Sequence, residues 1–254
     1  MAKELTKCVL LQTSDAGCDA LHAVTRQHHI AWCEKHSVSN IYVPHTKLDI
    51  MGRSPLWYKI AALNLVLEEL PEDACVLYMD MDCMCVKPTV SPRAVFVAPA
   101  DLALVSMSDG TFNTGVIVVR NTPKTRTFFK RVWSEGPMLE PPRILNPDSI
   151  GIRKQVMQAR YKFLPGGTVS VPLLDGLLED EARVNFVLQN NPGLDFELIS
   201  SRWNSLCGSY YHPDPVIVGY HGVEDRFVIP QMLEWLKRLG EPLPALSCCA
   251  AKGT

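Results

Sequence analysis

The feature of the sequence that most constrains its fold is an apolar run that leads into two acidic residues. Residues 75–79 read Cys-Val-Leu-Tyr-Met and follow a Pro-Glu-Asp turn, which predicts a short, buried strand of a parallel sheet. Asp80 and Asp82 come directly after this strand. Ligands of open α/β sheets bind beyond the carboxyl ends of the strands, so the two carboxylates occupy a position suited to ligand binding. Together they can hold a divalent cation, which can in turn hold a diphosphate.

The apolar patterns before this run predict a strand–helix–strand unit. Residues 8–12 read as a strand, residues 19–36 carry apolar positions at helical spacing, and residues 40–43 read as a second strand. Such a unit is expected to be parallel and right-handed. The polar end of the first strand, which carries Thr13 and Asp15, should therefore lie at the same sheet edge as the two carboxylates.

Further strands and helices follow along the chain, and a single α/β domain over residues 1–240 is the economical interpretation. Strands are predicted at residues 94–97, 102–106, 112–120, 165–172 and 216–220, and helices at residues 54–70, 125–133, 148–161, 177–190 and 229–239. Residues 135–147 and 196–206 are expected to be irregular, and residues 241–254 to form a loose tail.

Composition argues against several classes of protein. Apolar residues make up 47% of the 254-residue chain, enough for a sizeable core. The net charge of -2 and the lack of long basic runs argue against nucleic-acid binding. No window approaches the roughly 20 apolar residues of a membrane-spanning helix, and the N-terminal residues do not resemble a signal peptide. Nine scattered cysteines predict reduced thiols and a cytoplasmic location.

A third strand end adds a candidate metal ligand. The strand at residues 216–220 leads into His221 and Gly222, and the glycine allows close backbone approach. If the sheet brings the strand ends together, Asp80, Asp82 and His221 supply two oxygen ligands and one nitrogen ligand, a set that suits Mn²⁺ as well as Mg²⁺. Cys83 and Cys85 raise the alternative of a thiolate site, but they lack partners at the spacing of structural zinc.

Six short segments, in this order along the chain, resemble the retaining nucleotide-sugar glycosyltransferases of families 8 and 34, the glycogenin-like and galactosyl/xylosyltransferase groups. These segments are residues 57–63, 78–82, 112–116, 180–185, 202–204 and 220–222. The resemblance implies the GT-A fold, a single α/β domain with a mixed, mostly parallel sheet flanked by helices.

The same resemblance implies a role for each matching residue. Asp80, Asp82 and His221 would bind the metal and, through it, the donor diphosphate. Asp180 and Glu181 would be the catalytic pair beside the donor sugar. The remaining substrate-binding positions would be Thr13 and Asp15 near the nucleoside, Lys59 near the donor, Asn113 and Gly115 facing the sugar, and Gly222 and Arg226 near the phosphates.

Three departures from the family pattern are visible. The family usually has glutamine where this chain has Glu181, and a second carboxylate there could either repel the diphosphate or assist catalysis. The family often has a lysine after the histidine, and Arg226 is the substitute here, since a guanidinium can bind phosphate bidentately. Residues 135–177 match nothing in the family pattern and are expected to shape the acceptor side.

The resemblance implies a metal-dependent hexosyl- or pentosyltransferase that moves a sugar from a nucleotide-diphosphate donor to a carbohydrate or glycoconjugate acceptor, with retention of configuration. Glu181 leaves open the alternative of a non-catalytic nucleotide-sugar-binding protein, because fold does not settle function. A nucleotidyltransferase is disfavoured, since residues 14–18 do not form the expected glycine-rich basic loop. No phosphate-binding loop of the NTPase type is present.

Overall fold

The computed structural model describes residues 7–14, 19–96, 100–106, 112–134, 180–189, 191, 193–206, 211–220 and 225–243. The strands within this part of the chain are β1 (Cys8–Ser14), β2 (Ser39–Pro44), β3 (Cys75–Met79), β4 (Cys83–Cys85), β5 (Leu102–Ser106), β6 (Phe112–Arg120), β7 (Phe196–Ile199), β8 (Ser205–Leu206) and β9 (Ile217–Gly219). The helices are α1 (Asp19–Lys35), α2 (Tyr58–Glu69), α3 (Pro123–Ser134), α4 (Asp180–Gln189) and α5 (Asp225–Leu239).

Six of these described strands form a central sheet in the order β2-β1-β3-β6-β5-β7. β1 is parallel to β2 and to β3, and β5 is parallel to β7, whereas β6 is antiparallel to both of its neighbours. The sheet is therefore mixed and mostly parallel, as the sequence predicts. Because only β6 is reversed, its amino end lies at the same edge as the carboxyl ends of the other five strands.

This edge brings two predicted site segments together. Met79, the last residue of β3, pairs with Val116 of β6. Just beyond this pair, the backbone N–H of Asp80 donates to the carbonyl of Gly115 at 2.8 Å. The acidic segment after β3 and the polar start of β6 are therefore joined directly.

A second sheet of three strands, ordered β4-β9-β8, extends the same edge. β4 begins directly after Asp82 and pairs antiparallel with β9, so that Cys83 lies opposite Gly219. The backbone N–H of Tyr220 then donates to the carbonyl of Asp82 at 3.0 Å. The chain thus leaves β9 beside the acidic segment, and the next residues, His221 and Gly222, lie outside the described residues.

Apolar clusters cover both faces of β3, which explains its unbroken apolar sequence. On one face, Val76 and Tyr78 belong to a cluster that includes residues of α2, α3 and α4. On the other face, Leu77 and Met79 cluster with Trp32 of α1. α5 packs against α1 through a third cluster. No helix of the described part of the chain is long and apolar enough to cross a membrane.

Three sequence predictions of secondary structure were wrong. Residues 83–85, where no strand was predicted, form β4. Residues 94–97 were expected to form a strand, but a 3₁₀ helix, Pro92–Val95, is found there because the Ser91 hydroxyl accepts from the N–H of Arg93 at 3.1 Å. Residues 196–206 contain the edge strand β7 as well as β8. The elements predicted between residues 135 and 172 fall outside the described ranges.

Candidate active site

Lys59 is the centre of the polar cluster at the sheet edge. Its ammonium lies 2.9 Å from the Oδ2 atom of Asp80 and 3.1 Å from the Oδ2 atom of Asp180. Thr114 joins the same cluster, because its carbonyl and hydroxyl each lie 3.3 Å from the ammonium. The Thr114 hydroxyl also donates to Asp180 at 3.1 Å. One lysine therefore connects β3, β6 and α4.

The local sequence explains why a lysine is buried here. Pro55 opens a short 3₁₀ helix that leads into α2, and Ile60 and Leu63 of α2 pack into the core. Lys59 lies on this buried face and is only 6% exposed. Burial alone would lower the pKa of Lys59, but the charges of Asp180 and Asp80 outweigh it and raise that pKa well above its ordinary value. The two carboxylates therefore favour the charged form of Lys59.

Asp80 is held from both sides of its carboxylate. Its Oδ2 atom pairs with Lys59, and its Oδ1 atom accepts from the Tyr78 hydroxyl at 2.8 Å. Burial and the Asp80 charge raise the pKa of Tyr78 well above its ordinary value, so the phenol remains a donor. Each carboxylate oxygen can accept more than one bond, so these two contacts do not by themselves prevent Asp80 from binding a ligand.

The donor set at this edge fits a hard divalent cation. Asp80 and Asp82 offer carboxylate oxygens, the ligand type that Mg²⁺ and Mn²⁺ prefer. No group of three or more histidine, cysteine or acidic side chains suited to a metal occurs in the described ranges, to which His221 does not belong. Burial raises the pKa of both Cys83 and Cys85, which favours the protonated thiol at both positions in the metal-free protein.

Glu181 faces the start of β6. Its Oε2 atom accepts from the side-chain amide of Asn113 and from the backbone N–H of Thr114, both at 3.3 Å. The side-chain Oδ1 atom of Asn113 in turn accepts from the backbone N–H of Gly115 at 2.8 Å and from the side-chain amide of Asn204. These contacts fix the Glu181 carboxylate next to Asp180, at the start of α4.

Asn185 attaches α4 to β6. Its side chain accepts from the N–H of Phe112 and donates to the carbonyl of the same residue, both at 2.9 Å. It also donates to the carbonyl of Glu181 at 2.8 Å. The position of the two acids therefore depends on a buried asparagine one helical turn away.

The structure thus brings six of the predicted site residues to one edge, namely Lys59, Asp80, Asn113, Gly115, Asp180 and Glu181. Asp82 lies beside them, directly before β4. The hydroxyl of Thr13, at the end of β1, donates to the carbonyl of Val43 at 2.7 Å and supports β2. Asp15, His221 and Gly222 lie outside the described residues. Arg226 belongs to α5, but its side chain is not described.

Sequence reasoning gave no role to four residues of this cluster: Tyr78, Thr114, Asn185 and Asn204. Tyr78 resembles one more apolar position of a buried strand, so the local sequence does not predict its hydrogen bond to Asp80. Thr114 lies between Asn113 and Gly115, which were both predicted to bind substrate. Its position at the amino end of β6 could have indicated a role in the same site. Asn185 and Asn204 belong to segments of the family resemblance, but their contacts join positions far apart in the chain.

Solved glycosyltransferases share this fold. A glycosyltransferase involved in the glycosylation of the major capsid of PBCV-1 superposes with a TM-score of 0.58 at 15% identity, covering 89% of this chain and 98% of the other. The galactosyltransferase LgtC, in complex with donor and acceptor sugar analogues, superposes with a TM-score of 0.50 at 12% identity, covering 91% and 95%. No protein-family model and no curated protein matches the sequence. The chain therefore has the GT-A glycosyltransferase fold.

Proposed function

We propose that this protein is a metal-dependent glycosyltransferase that moves a sugar from a nucleotide-diphosphate donor to a carbohydrate or glycoconjugate acceptor, with retention of configuration. The observation that carries the proposal is the arrangement of two acidic pairs on a GT-A fold. Asp80 and Asp82 follow β3, Asp180 and Glu181 begin α4, and Lys59 bridges the pairs. On this proposal, the metal and the donor sugar would bind side by side.

The first pair would hold the cation, which would be Mn²⁺ or Mg²⁺. Asp80 and Asp82 would be two of its ligands, and His221, which follows Tyr220 beside Asp82, would be the third. When bound, the cation neutralises the charge that develops on the leaving diphosphate. The contacts of Asp80 with Lys59 and Tyr78 would fix the orientation of its carboxylate.

The second pair would act on the donor sugar. Asp180 would accept hydrogen bonds from sugar hydroxyls and position the reacting carbon. Glu181 would lie near the face that the acceptor attacks, where a negative charge can stabilise a cation-like sugar in the transition state. Its contacts with Asn113 and Thr114 support this role, because they hold the carboxylate in one orientation.

The other predicted residues would complete the donor site. Lys59 would keep Asp80 and Asp180 apart at a fixed distance, and Asn113 and Gly115 would border the sugar. The nucleoside would lie near Thr13 and Asp15, at the end of β1. Gly222 and Arg226 would approach the diphosphate.

A cytoplasmic location belongs to the same proposal. Five cysteines of the described part of the chain are buried free thiols: Cys8, Cys33, Cys75, Cys83 and Cys85. Free thiols are the rule in reducing compartments. A thiol count under denaturing, non-reducing conditions tests this, and a majority of cysteines in disulfides would contradict it.

A panel of nucleotide-sugars tests the activity. The purified chain is incubated with each donor in the presence of Mn²⁺ or of EDTA, and nucleotide release is measured. We expect release from at least one donor, only with the metal, and at a higher rate when an acceptor sugar is present. Metal-dependent donor binding without release would instead support the alternative of a non-catalytic nucleotide-sugar-binding protein. Pyrophosphate release from a triphosphate would indicate a nucleotidyltransferase.

A further inference from the structure

Cys8 and Cys75 are two buried thiols to which the proposed reaction assigns no role. They are the first residues of β1 and β3, and they are register partners in this parallel pair of strands. The backbone N–H of Cys75 donates to the carbonyl of Lys7 at 2.8 Å, which fixes the register at this end. Both side chains belong to the same apolar cluster, on one face of the sheet. The two sulfur atoms are therefore neighbours and share a hydrogen bond.

The spacing of the two strands suits a disulfide bond between these residues. Adjacent strands lie about 4.8 Å apart, which falls within the range of roughly 4.4–6.8 Å that a disulfide spans between its Cα atoms. A disulfide also draws its Cβ atoms to about 3.8 Å, so the amino ends of β1 and β3 would have to approach slightly. Such strain makes a disulfide easier to reduce. The geometry therefore favours a bond that can form and be reduced again.

Arg93 stabilises the reactive form of one of the two thiols. Its Nη1 atom donates to the sulfur of Cys8 at 3.2 Å, and its Nη2 atom donates to the carbonyl of Ser37 at 2.8 Å, which holds the guanidinium in place. The hydrogen bond from Cys75 and the charge of Arg93 lower the pKa of Cys8 to about 7, against the effect of burial. The same hydrogen bond and burial raise the pKa of Cys75. The pair therefore combines a nucleophilic thiolate with a protonated thiol.

A small cavity beside Cys75 limits the size of a reagent that can reach the pair. Its volume is about 20 Å³, slightly more than one water molecule needs. Its lining is mostly apolar, and Arg120 and Glu197 are the charged residues that border it. Cys8 and Cys75 are each only 5% exposed, so a bulky reagent cannot reach either sulfur directly from solvent. A reagent only slightly larger than water, such as hydrogen peroxide, suits this cavity.

We propose that Cys8 and Cys75 form a modification site at which hydrogen peroxide oxidises the two thiols to a disulfide. In the first step, the Cys8 thiolate bonds to one peroxide oxygen, the O–O bond breaks, and the departing hydroxide takes a proton from solvent and leaves as water. In the second step, the Cys75 sulfur bonds to the Cys8 sulfur, the S–O bond of the sulfenic acid breaks, and hydroxide leaves with the Cys75 proton as water. The two thiols are oxidised and the peroxide is reduced to two water molecules.

This site is separate from the candidate active site. Cys75 is the first residue of β3, whereas Asp80 follows the last residue of the same strand. The proposed oxidation therefore uses neither the metal nor the nucleotide-sugar. Its test reads the state of the thiols and is independent of the test of glycosyl transfer.

Peptide mapping of the peroxide-treated wild-type chain tests the site. The full chain is treated with hydrogen peroxide at pH 7, alkylated, and digested on the amino side of aspartate. This digestion places Cys8 in residues 1–14 and Cys75 in residues 73–79, each without another cysteine. We expect mass spectrometry to find these two peptides joined by a disulfide that dithiothreitol cleaves. If both peptides instead remain as thiols, or are joined to other cysteines, the proposal is overturned.

Three cysteine variants assign the roles of the two thiols. Cys75→Ala removes the partner, so we expect a slower reaction that stops at the Cys8 sulfenic acid, which dimedone traps. Cys8→Ala removes the nucleophile, so Cys75 should remain a thiol. Cys33→Ala is the matched control, because Cys33 is a buried thiol of the same cluster whose pKa is raised to about 12 by burial. It should leave the yield of the disulfide unchanged. Oxidation of Cys75 in Cys8→Ala at the wild-type rate would contradict the assignment.

Arg93→Met tests the contribution of the guanidinium. The rate of oxidation follows the fraction of Cys8 that is thiolate, so this variant should react about threefold or more slowly at pH 7. An unchanged rate would show that Arg93 does not activate the thiol.

Glutathione disulfide, used on the wild-type chain, tests the size limit. We expect it to leave both thiols unmodified over the time in which peroxide forms the disulfide, because a tripeptide does not fit the cavity beside Cys75. A glutathione adduct on Cys8 that forms as fast as the peroxide-induced disulfide would overturn the assignment of the site to a small oxidant.

Discussion

The ammonium of Lys59 lies 3.1 Å from the carboxylate of Asp180, a residue that is only 2% exposed. The same ammonium lies 2.9 Å from Asp80, so one buried cation neutralises part of two acidic segments. Removing one member of a buried ion pair is costly because the other charge remains buried without compensation. We therefore expect both the folding of the candidate site and its proposed chemistry to depend on Lys59.

Lys59→Met should destabilise the protein by about 3–5 kcal/mol and abolish activity, because Asp180 loses its countercharge. The free energy of unfolding in urea measures this effect. Lys59→Arg, which keeps the charge, is the control and should cost less. In the double variant Lys59→Met/Asp180→Asn, part of the stability should return. Additive losses in the double variant would show that the two side chains are not coupled.

Asp180→Asn should lower turnover by on the order of 100-fold, because a contact that strengthens in the transition state is lost. It should also lower the melting temperature, since Asp180 is buried against Lys59 rather than exposed in the first turn of α4. Steady-state kinetics and thermal melts measure the two effects. Near-normal turnover together with a lowered melting temperature would limit Asp180 to a structural role.

Glu181→Gln separates the two roles left open for the second acid. Glutamine has a carbonyl oxygen that can still accept from Asn113 and Thr114, so stability should change little. If the Glu181 charge stabilises the transition state, turnover falls while donor affinity is maintained. If the charge only repels the diphosphate, donor affinity rises and turnover does not fall. Kinetics at several donor concentrations distinguish these results.

Asn185→Ala should detach the start of α4 from β6, because three hydrogen bonds of the Asn185 side chain are lost. We expect a loss of about 1–3 kcal/mol in the free energy of unfolding, together with reduced turnover. Asn64→Ala is the matched control, since Asn64 makes one side-chain hydrogen bond within the described residues, to the carbonyl of Phe129. An equal loss in both variants would contradict a special role for Asn185.

The pKa of the Cys8 thiol is lowered to about 7, chiefly by a side-chain hydrogen bond with Cys75 and also by the Arg93 guanidinium, which donates to the Cys8 sulfur at 3.2 Å. The ordinary value is 9.0, so between these values the unfolded chain binds more protons. This group therefore makes the folded state more stable as the pH rises from 7 to 9, and this stability is lost as the pH falls through 7.

Thiolate absorbance and urea unfolding across this pH range measure the effect. Cys75→Ala should raise the Cys8 titration midpoint, and Arg93→Met should raise it by less, because Cys75 makes the larger contribution. Cys8→Ser should remove the thiolate-linked rise in stability between pH 7 and 9. The same rise in Cys8→Ser would assign the effect to another group.

Local sequence patterns predicted the strands that are buried on both faces or bounded by turn residues. The bounds of β3, β5 and β6 agree with the prediction, because continuous apolar runs between turn residues define them. β4 was missed because it has three residues and exists only through pairing with β9, more than a hundred positions later in the chain. β7 lies at the sheet edge, and its exposed side chains leave no apolar run to detect.

The sequence predicted which acidic residues belong to the candidate site, but not the contacts that join them to other residues. Asp80, Asp180 and Glu181 follow from strand ends and family segments. The position of Lys59 between two carboxylates depends on how α2 and α4 pack over the sheet, and no local pattern carries that information.

Calorimetry of donor binding to Asp82→Ala, in the presence of Mn²⁺, tests the central claim most directly. The donor is the nucleotide-sugar found by the release screen, and Glu72→Ala, an exposed acid before the opposite end of β3, is the control. The account predicts that Asp82→Ala loses metal-dependent donor binding while its melting temperature stays near that of the wild type. Undiminished donor affinity in Asp82→Ala would contradict the claim that this edge of the sheet binds the metal and the diphosphate.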